Sequence, residues 1–144
     1  MAVGTWHNRG KPRHRAIALE HAYHGDMFGA MSVGARGVFN AAYAPLLFDV
    51  GRVPFPDDAQ ATLDALEREC AGGAAAFIVE PLVQGATGMA MYDAEYLKLA
   101  RAACDRYSVH LIADEIMIGC GRSGTFFAHE QAGITPDFLC LSKG

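Results

Sequence analysis

The sequence predicts an α/β fold, a three-layer sandwich in which a mainly parallel β-sheet lies between helices. Short apolar runs recur along the 144 residues, and two segments of about a dozen residues with helical spacing lie between them. Strands that alternate with helices of this length form βαβ units, and the helices of such units cover both faces of the sheet. A chain of this length can also bury the core of one domain.

The first part of the chain is predicted to contain short elements separated by turns. A helical start should end at Arg9–Pro12, where a glycine and a proline stop a helix. Ala16–Leu19 is predicted as a short buried strand that runs into a polar, glycine-bearing turn. One short helix fits between Gly25 and Gly34. Residues 35–57 contain several glycines and prolines and are predicted to be irregular.

Two helices and three strands are predicted for the rest of the chain. Residues 58–70 carry apolar side chains on one helix face, and Asp93 is a good N-cap for a second helix. The apolar faces are Ala59, Leu63, Leu66 and Cys70 in the first helix and Tyr96, Leu97, Ala100 and Ala103 in the second. The apolar runs predicted as buried strands are AAAFIVEP, VHLIADE and FLCLSK.

The composition argues against several classes of protein. With 12 basic and 16 acidic residues the net charge is −4, so no basic surface and no nucleic-acid partner are expected. The apolar runs are far shorter than the roughly 20 residues that a membrane span needs. The four cysteines form no CxxC pair, and no carboxylates surround His21 and His24, so neither a disulfide nor a metal site is expected. A cytoplasmic protein with reduced thiols is the resulting expectation.

Residues capable of chemistry follow three of the predicted strands. Lys143 ends the last apolar run, Asp114 ends the one before it, and Tyr23 follows the first. Ligands bind where the carboxyl ends of parallel strands meet. A lysine held there among apolar residues can form a Schiff base, although its side chain could equally extend to solvent. A buried carboxylate needs a cation such as the ring nitrogen of pyridoxal phosphate, and an aromatic ring can stack on that cofactor.

A glycine-rich segment offers a different interpretation. Gly119–Gly124, with the sequence GCGRSG, fits the G-x-G-x-x-G pattern of dinucleotide-binding oxidoreductases. Asp114 and Glu115 stand between the strand and these glycines, where their charges would repel a pyrophosphate. The glycines also come late in the chain rather than in a first βα unit. We therefore expect turns here, with dinucleotide binding as a remote alternative.

Three segments carry motifs that occur together in one class of enzyme. They are VEPLVQGATGMAMYDAEYL, LIADEIMIGCGRSG and PDFLCLSKG. Their order, and the 29-residue step from Asp114 to Lys143, resemble the class III aminotransferases, which are pyridoxal-phosphate enzymes of fold type I. The resemblance implies that Lys143 forms the Schiff base and moves the proton between substrate and cofactor. It implies that Asp114 pairs with the ring nitrogen, and that Tyr23 stacks on the cofactor and shapes the substrate pocket.

The resemblance also implies residues for substrate binding and support. Asp26 and Arg122 match positions that members of the class use in the substrate site, as a pair of opposite charge. Glu80, in the EP motif, and Glu115 are expected to support the site through hydrogen bonds. His24 is expected to be a packed or hydrogen-bonded histidine rather than a base.

Two shorter motifs bear on the substrate. YHGDMFGAMSVG and EPLVQGATGMAMY resemble most the members of the class that work in biotin biosynthesis. This implies transfer of an amino group from S-adenosylmethionine to 8-amino-7-oxononanoate, giving 7,8-diaminononanoate. Met117 agrees with the members that work in biotin biosynthesis, because many members that act on ω-amino acids carry glutamine at this position. Another class III aminotransferase or an aminomutase, acting on amines or ω-amino acids, is the alternative.

The length of the chain also sets expectations. Members of the class have several hundred residues, so residues 1–144 are expected to form part of the cofactor-binding large domain. The family's N-terminal segment, its C-terminal small domain and the residues that hold the cofactor phosphate would then lie outside the chain. The complete protein is expected to be a homodimer. The chain alone is expected to be inactive and poorly folded, because its sheet would expose unpaired edges.

Overall fold

A computed structural model describes all 144 residues as four α-helices and seven strands. The helices are α1 (Ala2–Asn8), α2 (Phe28–Val33), α3 (Ala59–Ala71) and α4 (Ala94–Arg106). The strands are β1 (Ala16–Leu19), β2 (Val50–Val53), β3 (Ala76–Val79), β4 (Val83–Gln84), β5 (Ala90–Met91), β6 (His110–Asp114) and β7 (Phe138–Cys140). Two 3-10 helices lie at Ala41–Leu46 and Ala128–Ala132.

The main sheet has five strands in the order β2-β1-β3-β6-β7, and every neighbouring pair is parallel. Strands β4 and β5 form a separate antiparallel ladder of two residues each. The predicted α/β class with a mainly parallel sheet is therefore confirmed. Because all five strands run the same way, their carboxyl ends lie along one edge of the sheet, where polar side chains from different strands can meet.

Helices lie on both faces of the sheet, as predicted for a three-layer arrangement. Helices α3 and α4 pack on one face over the main hydrophobic core, which includes Phe77 and Leu111. Helices α1 and α2 lie on the other face, where Ala18, Val33 and Val50 form a small cluster. An apolar cavity of about 390 Å³ remains between these two short helices and the sheet. None of the helices combines the length and the apolar character needed to cross a bilayer.

The two long helices bury faces close to those predicted. In α4, Tyr96, Leu97, Ala100 and Ala103 are all buried, and the Asp93 side chain caps the helix by accepting the Glu95 N–H at 2.8 Å. In α3, Leu66 and Cys70 are buried as predicted, but Ala59 is exposed. Thr62 is buried instead, and it satisfies its hydroxyl by donating to the Asp58 carbonyl at 2.9 Å.

The prediction that residues 35–57 are irregular was wrong for Val50–Val53. These residues form the edge strand β2, which pairs with β1 in parallel register. Gly51 misled the prediction because glycine weakens a strand. Here a Cβ at Gly51 would overlap the Glu69 carboxylate, which passes over the strand to accept from Arg15 Nε at 2.9 Å. Arg52 ties the strand to the end of α2 by donating to three consecutive carbonyls, those of Ser32, Val33 and Gly34.

Asp137, just before β7, joins three elements. Its carboxylate accepts from the Leu111 backbone N–H in β6 and from the Arg101 guanidinium in α4, both at 2.7 Å. Its own N–H donates to the Leu111 carbonyl at 2.9 Å. Partial burial raises the pKa of Asp137, but the bonds from Arg101 and Leu111 outweigh burial and leave the pKa below its ordinary value of 3.8.

Replacing Asp137 by asparagine should make the fold less sensitive to acid. The ionised carboxylate stabilises the folded state above pH 3.8, and that contribution is lost as the pH falls through the lowered pKa. At neutral pH we expect a loss of about 1 kcal/mol in the free energy of unfolding, because the carboxylate is partly exposed. The difference between wild type and variant should vanish in acid. Urea unfolding of the complete protein between pH 2 and pH 7 measures the loss at neutral pH and its disappearance in acid.

Asp105→Asn is the matched control. Asp105 also contacts Arg101, at 2.7 Å, but it is an exposed neighbour four residues away on the same helix. Such pairs contribute about 0.3–0.5 kcal/mol. If Asp137→Asn and Asp105→Asn lowered the free energy of unfolding equally at every pH, the role assigned to Asp137 would be contradicted.

Candidate active site

A cavity of about 400 Å³ lies at the carboxyl edge of the sheet, where β1, β3, β6 and β7 end. Its volume suits a small organic ligand. The residues that line it are Tyr23, His24, Gly25, Glu80, Gly85, Ala86, Asp114, Ile116, Met117 and Lys143. The structure therefore brings Lys143, Asp114, Tyr23 and Glu80 together around one cavity. These side chains come from segments that follow four different strands.

Lys143 stands three residues beyond the end of β7, on the cavity wall. The side chain is exposed and forms no ion pair. Its backbone has a φ of 57°, in the left-handed region that non-glycine residues seldom adopt. Lys143 therefore lines the cavity with a side chain that no carboxylate pairs with.

Asp114 ends β6 and is 5% exposed. Its Oδ2 lies 2.7 Å from His24 Nδ1, and its Oδ1 accepts the backbone N–H of Ile116 at 3.2 Å. The expectation that His24 is a hydrogen-bonded histidine is confirmed. One hydrogen bond to each oxygen holds the carboxylate at the cavity wall, where it can meet a positively charged ligand group.

Tyr23 places its ring at the cavity, with its hydroxyl donating to Asp26 Oδ2 at 3.0 Å. The hydrogen bond to Asp26 raises the pKa of Tyr23, because ionisation would break it, and slight burial and the charge of Asp26 act in the same direction. The side chain is 47% exposed, so the ring has room for a flat ligand to lie against it.

Glu80 is buried and connects two loops of the site, as its predicted supporting role requires. Its carboxylate accepts the backbone N–H of Tyr23 at 3.2 Å and that of Gly85 at 3.1 Å. Burial raises the pKa of Glu80, while the two N–H bonds act in the opposite direction. The loop after β1 and the loop after β3 are therefore held to one carboxylate.

Glu115 does not line the cavity and supports a different segment. It is fully buried and accepts the backbone N–H groups of Ala128 and His129 at 2.7 and 2.9 Å. His129 Nδ1 lies 2.7 Å from the same carboxylate. Glu115 thus fixes the start of the 3-10 helix Ala128–Ala132, which agrees with a supporting hydrogen-bond role.

The predicted pair of Asp26 and Arg122 is not formed in the structure. Asp26 is bonded to the Tyr23 hydroxyl, and Arg122 is exposed, makes no ion pair and does not line the cavity. Arg122 lies in an irregular, turn-rich loop, where no regular backbone hydrogen bonding directs its side chain toward the cavity. Asp26 therefore contacts the site through Tyr23, and the expected role of Asp26 and Arg122 in substrate binding stays a prediction.

The glycines of Gly119–Gly124 form turns, as expected. Gly121 and Gly124 have φ values of 87° and 104°, which glycine adopts readily. No α-helix follows, only the short 3-10 helix Ala128–Ala132. The segment therefore lacks the helix N-terminus that holds a pyrophosphate in dinucleotide-binding folds.

Two contacts of the site were not predicted from the sequence. The bond between His24 and Asp114 joins residues 90 positions apart, and no spacing rule indicates it. Met117 packs so closely on Gly85 that a Cβ at Gly85 would overlap its thioether sulfur. The sequence shows a glycine at position 85, but nothing in the sequence indicates that Met117 is the side chain that packs on it.

Comparison with known proteins agrees with this geometry. The profile described as aminotransferase class-III matches residues 1–144. The adenosylmethionine-8-amino-7-oxononanoate aminotransferase of Synechococcus elongatus is 47% identical over 155 aligned residues, covering 100% of this chain and 37% of that protein. The crystal structure of the enzyme of the same name from Methanocaldococcus jannaschii superposes with a TM-score of 0.86 at 32% identity, covering 97% of this chain and 34% of that one.

An amine transaminase from an uncultivated Pseudomonas species, solved in its PLP-bound form, superposes with a TM-score of 0.88 at 36% identity. The match covers 99% of this chain and 36% of that chain. The chain thus spans little more than a third of the length of these relatives. Because the family profile matches residues 1–144, the whole length of this chain, the chain belongs to the class III aminotransferase family.

Proposed function

We propose that residues 1–144 are part of the cofactor-binding large domain of a pyridoxal-phosphate-dependent aminotransferase. The observation that carries the proposal is the convergence of Lys143, Asp114 and Tyr23 on one cavity of about 400 Å³. An amine, a buried carboxylate and an aromatic face are groups that suit the carbonyl, the ring nitrogen and the ring face of this cofactor.

The residues present fit the cofactor. Asp114 is 5% exposed, and its only side-chain partner is His24, so its negative charge is available to a ligand cation. A protonated pyridine nitrogen supplies such a cation. Lys143 has no carboxylate partner that would compete for its amine.

Pyridoxal phosphate, when bound, supplies an electron sink that stabilises negative charge on the amino-bearing carbon of a substrate. Lys143 would hold the cofactor through Nζ, and the same amine would accept or donate the proton at the reacting carbon of the substrate. Asp114 would favour the protonated ring nitrogen through its negative charge. Tyr23 would offer its ring as a face for the cofactor, and Glu80 holds the backbone of Tyr23 in place.

For the substrates, we propose S-adenosylmethionine as amino donor and 8-amino-7-oxononanoate as acceptor, as in biotin biosynthesis. The names of the most similar curated relatives support this choice, with 47% identity for the protein from Synechococcus elongatus and 41% for that from Geobacter sulfurreducens. Action on simple amines or ω-amino acids is the second candidate, favoured by the likeness to the amine transaminase of the Pseudomonas species.

The experiment that tests this function uses the complete protein loaded with pyridoxal phosphate. We expect the visible band of the lysine-bound cofactor to bleach on addition of S-adenosylmethionine and to return with 8-amino-7-oxononanoate. Mass spectrometry should then detect 7,8-diaminononanoate. Bleaching by ω-amino acids or simple amines, with no response to S-adenosylmethionine, would replace this substrate assignment by the second candidate.

We further propose that the enzyme is a cytoplasmic homodimer. Four cysteines without a disulfide are in keeping with a reducing compartment. Large apolar side chains are concentrated on the segment 27–48, where Met27, Val38 and Phe39 are 80%, 85% and 95% exposed, and such patches commonly mark a protein interface. Sedimentation of the complete protein would report its mass, and a monomer at micromolar concentration would contradict the dimer.

A further inference from the structure

The contact between Met117 and Gly85 joins two parts of the cavity wall that come from different loops. Gly85 directly follows β4, Met117 lies in the loop after β6, and both residues line the cavity that holds Lys143. A Cβ added to Gly85 would lie 2.6 Å from Met117 Cε and nearer still to its sulfur. The wall therefore has room here for the Met117 side chain only because residue 85 has none.

Side-chain packing, rather than backbone conformation, makes glycine necessary at position 85. The φ of Gly85 lies outside the left-handed region, so the backbone itself would accept an alanine. The three atoms nearest to an added Cβ all belong to Met117. An alanine at position 85 would therefore act on the cavity through Met117.

Hydrogen bonds hold the backbone on both sides of this contact. The Gly85 N–H donates to the Glu80 carboxylate at 3.1 Å. Next to Met117, the Ile116 N–H donates to the Asp114 carboxylate at 3.2 Å. The part of the contact that can move is thus the Met117 side chain, which is unbranched and turns about three single bonds.

The Met117 side chain has free space on one side only. It packs against the buried cluster of Leu82, Ile118 and Ala128, none of which lines the cavity. A packed cluster of this kind leaves little room for a displaced side chain. Met117 pushed away from Gly85 would therefore move into the cavity and narrow it.

We propose that Met117 is a specificity-determining residue, whose side chain limits the width of the substituent that a substrate carries beside its reacting carbon. The thioether is uncharged and a weak hydrogen-bond acceptor, so it acts through its volume. Lys143, which the proposed function places at the reacting carbon, lines the same cavity. The inference rests on the proposed function, because it assumes that cofactor and substrate share this cavity.

The test measures binding to the complete protein in its cofactor-free form. The probes are pyridoxal phosphate and two of its stable reduced adducts, N-phosphopyridoxyl-glycine and N-phosphopyridoxyl-leucine. The leucine adduct carries an isobutyl group where the glycine adduct carries hydrogen, so the ratio of their dissociation constants reports the width of the cavity. A single methylene group in an apolar pocket already changes binding about 10- to 200-fold.

The two sides of the contact should change this ratio in opposite directions. Relative to wild type, we expect Met117→Ala to favour the leucine adduct about tenfold and Gly85→Ala to disfavour it about tenfold. In the double variant, the added methyl group has no Met117 side chain to displace. The double variant should therefore show the same ratio as Met117→Ala.

Gly4→Ala and Met91→Ala are the matched controls. Gly4 lies in α1 with no atom within 4 Å of an added Cβ, Met91 is 74% exposed, and neither residue lines the cavity. Both variants should keep the wild-type ratio. Changes as large as those in the cavity variants would show that the ratio does not report the Met117 contact, and would overturn the inference.

The outcomes separate this inference from the function on which it rests. A wild-type protein that binds neither pyridoxal phosphate nor its adducts would overturn the proposed function. Wild-type binding with an unchanged ratio in Met117→Ala and Gly85→Ala would overturn the role of Met117 alone. An equal change for all three probes would also overturn it, since Met117 would then act on the cofactor and not on the substrate. If one variant does not fold by circular dichroism, the folded ones decide, because each has an expected direction.

Discussion

Replacing Lys143 by alanine should abolish the visible absorption band of the bound cofactor and lower kcat by at least about 10⁴-fold. The lysine has two roles in the proposed reaction, as the covalent anchor and as the group that moves the proton, and proton transfer by a positioned side chain alone contributes about 10²–10⁴-fold. Within residues 1–144 no other lysine lines the cavity, since Lys11 and Lys98 lie elsewhere. Absorbance spectroscopy and single-turnover kinetics of the complete protein measure the two losses separately.

Two further variants sharpen this experiment. Lys143→Arg keeps the positive charge, but a guanidinium that stays protonated cannot form the covalent link, so the band should again be absent. Lys98→Ala removes an exposed lysine whose ammonium lies 3.3 Å from Glu95 on the surface of α4, and it should leave band and rate unchanged. A band that survived in Lys143→Ala would show that another amine binds the cofactor.

Replacing Asp114 by asparagine should lower kcat/KM by about 10²–10³-fold, the range found when a preorganised electrostatic partner is removed. Asparagine has nearly the same shape and can still accept one hydrogen bond, from His24 or from Ile116, so the main change is the loss of negative charge. Without that charge the ring nitrogen loses its proton at neutral pH and the electron sink weakens. Steady-state kinetics and titration of the apoprotein with pyridoxal phosphate measure the effect.

Asp93→Asn is the matched control for this substitution. Asp93 caps α4 by accepting the Glu95 N–H, and asparagine is an equally good N-cap. The same change from carboxylate to amide should therefore leave kcat/KM unchanged at this position. Wild-type kcat/KM in Asp114→Asn would mean that the carboxylate does not act on the cofactor.

Much of the fold could be predicted because its elements have local signatures. Strands β1, β3 and β6 are continuous apolar runs, as strands covered on both faces tend to be. The apolar run of β7 also predicts its strand, but the expectation that this strand is buried was wrong, because β7 lies at the edge of the sheet and is only half-buried. The edge strand β2 has no such run, since it contains Gly51 and Arg52, and its partners lie outside the segment. The sequence pattern shows only that a glycine is present. In the structure, the missing side chain of Gly51 leaves room for the Glu69 carboxylate.

The candidate site was predictable to a different extent. Lys143, Asp114 and Tyr23 could be grouped because each follows a strand of one parallel sheet, and topology alone brings such residues to one edge. The hydrogen bonds that hold the site together could not be predicted, because Glu80 bonds to Tyr23, 57 residues earlier in the chain, and Asp114 bonds to His24, 90 residues earlier. The ion pair between Asp26 and Arg122 is not formed for a different reason: opposite charge predicts attraction but not the loop geometry that would allow contact.

The separation of these partners along the chain has a consequence for the order of folding. Helices α3 and α4 can form from local contacts, but the bonds of Glu80 and Asp114 require β1, β3 and β6 to be paired already. Parallel pairing closes long loops and is slow compared with helix formation. Lys143 adds a further requirement, since it follows β7, which docks on β6. Cofactor uptake during refolding should therefore lag behind the recovery of helical circular dichroism and report the completion of the sheet.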